Sequence, residues 1–169
     1  MKHMVRSASS SGSRRLARRL NVLDINIAAF MRSWGILMLR VSLALIFIWF
    51  GILKPLGLSP AAGLVMATVA WMPFFSPLTW LAIIGWWEVA IGLTFLTRPT
   101  LRVAIALLAL QMVGTLMPLF MLPEVTFQAG HIPYAPTMEG QYIIKNLLII
   151  SAALVVGGTV RRTGVKERV

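Results

Sequence analysis

Glu88 is the residue with the most chemistry to explain. It is the single carboxylate in an apolar run of about twenty residues that follows Pro77. Twenty helical residues at ~1.5 Å each cover ~30 Å, the thickness of a bilayer's hydrocarbon core, so Glu88 falls near the midplane. A lone charge there is unfavourable by several kcal/mol and demands a partner. Arg40, Lys54 and Lys145 are the cations placed to supply one, and Gln111 is a hydrogen-bond donor from a neighbouring run. At ~1.5 Å per residue from the outer face, Glu88 lies ~15 Å deep, Gln111 ~17 Å, Arg40 ~20 Å and Lys145 ~7 Å, with Lys54 at the outer boundary. These depths predict that Glu88 pairs mainly with Lys145 or Arg40, and that Gln111 adds a hydrogen bond. Thr115 and Asn146 complete the expected polar cluster. Such a cluster is either a proton- or ligand-handling site, suited to a quinone headgroup, or an ion pair that fixes helix register.

The elements that must position these residues are membrane spans. The chain has 169 residues, 58% hydrophobic and 12% charged, against about 25% charged in a soluble domain. The expected fold is an all-α, four-helix transmembrane bundle with spans near 34–53, 78–97, 103–122 and 141–160. Arg40, Ala44, Phe47, Gly51 and Lys54 share one face of the first span, and small residues on that face suit close helix approach. Gly85 and Gly92 clear the Glu88 face in the same way. Gln111, Gly114, Thr115 and Pro118 form a stripe on the third span, and Gln141 and Lys145 share a face of the fourth. Residues 61–75 are apolar but short and contain Pro73, which reads as an interfacial or re-entrant helix. Residues 123–139 form a Pro-rich outer loop.

Before the first span, Leu16, Leu20, Leu23, Ile27 and Phe30 recur at helical spacing beside Arg14, Arg15, Arg18 and Arg19. This predicts a basic amphipathic helix on an anionic lipid surface, within a cytoplasmic segment 1–32. Residues 33–160 form the membrane domain and 161–169 a basic cytoplasmic tail. With both termini inside, thirteen of the sixteen Lys and Arg residues fall on the cytoplasmic side. That pattern accounts for the net charge of +11 without nucleic acid. Ser13-Arg14-Arg15 lacks the following cleavage pattern of a twin-arginine export signal.

The absence of cysteine excludes thiol redox chemistry, Cys-ligated clusters and c-type haem attachment, and two histidines, His3 and His131, do not suit bis-histidine haem. No metal site is expected, since Glu124, His131 and Glu139 match no ligand spacing. Any redox role therefore draws on a partner or on diffusible quinone.

Several stretches resemble one family. They are Arg40 followed by Trp49, Gly51, Lys54 and Ser59-Pro60; Glu88 with Gly92; Gln111-Met112, Gly114-Thr115, Pro118 and Pro123-Glu124; and Tyr134-Ala135-Pro136-Thr137 running into Glu139-Gly140-Gln141-Tyr142-Ile143-Ile144-Lys145-Asn146. Together these are similar to the DoxX-like small bacterial membrane proteins over residues 35–158, the last stretch being the most specific. More distantly the chain resembles the YkgB group, whose Glu-Ala-Glu after the first span is absent here, where Ala61 and Ala62 stand. The resemblance implies a four-helix fold in the bacterial inner membrane. It also implies an accessory or membrane-anchoring role in quinone-linked redox chemistry, such as thiosulfate:quinone oxidoreduction, or in oxidative-stress defence beside a redox-enzyme partner. An autonomous enzyme is not expected. A proton-coupled carrier using Glu88, or a scaffold that recruits partners, are the other functions the residues allow.

Overall fold

A computed structural model describes the backbone of residues 5–160 and the side chains of residues 16–160. The basic tail expected at 161–169 lies outside the described residues, as do the side chains of Arg14 and Arg15. Among the described residues, four helical segments are long and apolar enough to cross a membrane: Leu16–Leu53, Pro77–Leu96, Leu101–Met121 and Met138–Gly157. An isolated antiparallel bridge, Phe127 to Pro136, is the one β contact among the described residues. The chain divides into two compact units, residues 1–38 and 39–169.

The first unit is helical from Val5, and its helix, α1 (Val5–Leu53), runs without interruption past the boundary expected between a surface helix and the first span. The chemistry of residues 31–35 explains this. Met-Arg-Ser-Trp-Gly contains no proline, Gly35 disfavours a helix interior by only ~1 kcal/mol, and Ser33 Oγ donates to the Ala29 carbonyl within the helix.

In the second unit, α2 (Ala62–Val69) and α3 (Pro77–Leu96) follow the end of α1. Ser76 caps α3: its hydroxyl accepts the Thr79 amide at 3.2 Å, with Pro77 in the first turn. Helix α2 lies within the apolar stretch 61–75 and packs against α3 and against α5. The third membrane-length segment is α4 (Leu101–Leu116) and α5 (Pro118–Met121), divided at Met117 because Pro118 cannot donate to the helix ladder. After α6 (Pro123–Thr126), the last segment is α7 (Met138–Ile144) and α8 (Asn146–Gly157). Its division at Lys145 coincides with the Asn146 amide, which donates to the Tyr142 and Ile143 carbonyls at 3.0 and 3.1 Å.

The core draws on all four segments within the second unit: Leu43, Ala44 and Phe47 meet Ile91 and Phe95, Ala104, Leu108 and Met112, and Ala153 and Val156. The loop after α6 is tied down rather than loose. Thr137 donates its amide to the Thr126 carbonyl at 2.9 Å and its hydroxyl to the Val125 carbonyl at 2.7 Å, and it caps α7 at Gly140. Gly140 has to be glycine here, since a Cβ would stand 2.0 Å from the Thr126 carbonyl oxygen.

Candidate functional site: a closed polar cluster around Glu88

Backbone proximity sets the site. A Cβ on Gly51 would lie 2.8 Å from the Gly85 carbonyl oxygen, and one on Gly85 would lie 2.7 Å from the Gly51 carbonyl oxygen. One on Gly92 would lie 2.7 Å from the Ala44 carbonyl oxygen. The antiparallel contact of α1 and α3 is therefore registered by small residues seven apart on each helix, Gly51 on Gly85 and Ala44 beside Gly92. The face predicted for the first span is the one that is covered: Arg40, Ala44, Phe47, Gly51 and Lys54 are all buried.

This register corrects the expected depth of Lys54. Gly85 stands eight residues into α3, ~12 Å below its first turn. Gly51 lies at that level and the end of α1, Leu53, ~3 Å above it, which puts Lys54 well inside the boundary expected from the sequence. Side chains on a helix lean toward its N-terminus, so Lys54 reaches back along α1. Its Nζ meets Glu88 Oε2 in an ion pair and approaches the Phe50 carbonyl at 3.5 Å. Gln111 Nε2, from α4, donates to the other carboxylate oxygen, Oε1, at 3.0 Å. The side chains of Lys54 and Glu88 retain only 8% and 12% of their accessible surface. Three helices are thereby joined through one carboxylate.

The other expected partners are elsewhere. Arg40 does not pair with Glu88; its guanidinium caps the C-terminus of α3, donating to the Phe95 carbonyl at 3.2 and 3.3 Å and to the Leu96 carbonyl at 3.0 Å. A cation at that end satisfies orphan carbonyls and complements the helix dipole. Lys145 does not pair with Glu88 either. It is exposed at the division between α7 and α8, with Nζ 5.3 Å from the centre of the Tyr142 ring. Asn146 bonds to carbonyls of its own helical segment, and the Thr115 hydroxyl donates to the Gln111 carbonyl at 3.0 Å, one turn along α4. The constellation contracts from seven residues to Lys54, Glu88 and Gln111.

The signal that would have found Lys54 was present in the sequence. Gly85 and Gly92 are spaced like Ala44 and Gly51, and pairing them antiparallel sets Lys54 six residues, ~9 Å, along the helices from Glu88, a gap that a lysine side chain leaning back along its helix spans. Equal-length spans starting at one level hide that match.

In the outer loop, the Nδ1 of His131 lies 2.8 Å from the Ala129 carbonyl oxygen and its ring packs edge-on against Tyr134. Arg18 and Arg19 of the first unit are exposed.

The cluster and the four apolar segments define a class, a small helical membrane protein with a buried ion pair. No protein-family model, curated protein or solved structure matches the chain.

Proposed function

We propose that this is an accessory or anchoring subunit of the bacterial inner membrane, multi-pass with both termini in the cytoplasm, which supports quinone-linked redox chemistry or oxidative-stress defence carried out by a partner enzyme. The supporting observation is that the polar cluster is closed. Both oxygens of Glu88 are engaged, by Lys54 and by Gln111, and Arg40 is committed to backbone carbonyls. Among the described residues, the buried side-chain polar atom left without a partner is Trp80 Nε1, outside the cluster.

A quinone carbonyl needs a donor, and Lys54 and Gln111, the donors at the cluster, each direct an N–H to Glu88. That engagement supports placing the redox chemistry on the partner. A proton carrier would need Glu88 open to exchange, whereas both of its carboxylate oxygens are engaged, by Lys54 and by Gln111. The redox assignment itself rests on the family resemblance.

The test is purification of the full chain in mild detergent, with mass spectrometry of co-purifying proteins and quinones. A stoichiometric redox-enzyme subunit, whose quinone reduction falls when this chain is deleted, is the expected result. Purified protein that alone carries a proton-coupled flux in liposomes, abolished by Glu88→Gln, would overturn the reading.

A further inference from the structure

The first unit carries a feature that the cluster does not use. Along the continuous helix, residues 16–37 hold an apolar 4-3 repeat that persists for just over three heptads. Leu20, Ile27 and Trp34 occupy one core position, and Leu16, Leu23, Phe30 and Leu37 the other. These seven side chains are all exposed, between 43% and 64%. A repeat of that length at a 3.5-residue period is the pattern of a coiled-coil seam.

Length gives a second argument. The helical segment Leu16–Leu53 has 38 residues, or ~57 Å at ~1.5 Å each, roughly twice the hydrocarbon thickness. About half of it therefore needs a partner other than acyl chains.

Charge gives the third. Asp24 is the only acidic residue among residues 1–38. No basic residue stands three or four positions from it, so it has no partner on its own helix. In the heptad, Arg19 precedes the Leu20 core position and Asp24 follows the Leu23 core position. That five-residue offset is the one that brings opposite charges together between two parallel strands in register. Two copies of a multi-pass protein inserted in the same sense present this segment in parallel, and a two-fold axis then forms the Arg19–Asp24 pair twice.

We infer that residues 16–37 form a parallel two-stranded coiled coil with the same segment of a second copy of this chain. The inference is independent of the redox reading. It also replaces the lipid surface as the occupant of the apolar stripe.

The chain has no cysteine, so single cysteines report contacts without background. In the full-length protein in lipid nanodiscs, Leu23→Cys on the seam should oxidise to a covalent dimer several-fold faster than Ile25→Cys on the outward face. Arg19→Asp and Asp24→Arg should each weaken the dimer several-fold, and the two combined should restore it. Equal crosslinking at positions 23 and 25, or no restoration by the charge swap, would overturn the proposal. So would loss of crosslinking with Leu23→Cys shielded by anionic but not neutral lipid, which would make the membrane surface the occupant.

Discussion

Three cations could have met Glu88, and each has a different fate set by its place on a helix. Lys54 stands one residue beyond α1 and its side chain runs back to the carboxylate. Arg40, on the same face of α1, reaches the carbonyl end of α3. Lys145 interrupts the last segment and is exposed. Arg40→Gln should cost about 1–3 kcal/mol, because charge-assisted bonds to the buried Phe95 carbonyl and the part-buried Leu96 carbonyl are lost. Since Arg40 touches neither Glu88 nor Lys54, that loss should add to the loss in Glu88→Gln, and Lys145→Gln should leave thermal stability close to wild type. Melting of the single and double variants in detergent checks this. Rescue of Arg40→Gln by Glu88→Gln would mean that the guanidinium serves the carboxylate after all.

At the level of elements, the Gly51–Gly85 and Ala44–Gly92 contacts decide where α1 stops against α3. Gly51→Ala should force the two backbones apart, as a methyl 2.8 Å from a carbonyl oxygen and 3.0 Å from Glu88 Cβ has no room. The expected cost is about 1–3 kcal/mol, with the Lys54–Glu88 pair loosened. Gly114→Ala, at a glycine with open space around it, should be neutral or slightly stabilising; the two melting temperatures, compared in one detergent, decide the point. The spans themselves were legible in the sequence because some twenty consecutive apolar residues admit few other structures. Glu88 and Gln111 were legible because both lie near the middle of their runs. Depth counted along spans that all begin at one plane misplaces Lys54, because small-residue packing sets the offset between α1 and α3. The division at Lys145 was equally hidden, since it comes with the bonds of the Asn146 side chain and leaves no mark in hydropathy. The expected boundary near residue 32 had no breaker to enforce it, and α1 passes through.

For the whole molecule, one carboxylate ties the end of α1 to α3 and α4, an arrangement suited to locking the bundle in register. Apolar packing alone gives little orientation inside a bilayer, where lipid tails compete equally for apolar side chains. A buried ion pair supplies register, while removing one partner leaves an uncompensated charge, at a cost of about 3–5 kcal/mol. The most direct measurement is a double-mutant cycle of Lys54→Met and Glu88→Gln, read both as detergent thermal stability and as complementation of a deletion strain under oxidant stress. Each single change should destabilise the protein, and the double variant should recover most of the loss and complement the strain, with a coupling energy above ~1 kcal/mol. Additive losses would show that the two residues are not a pair, and a stable double variant that fails to complement would make the cluster a functional site.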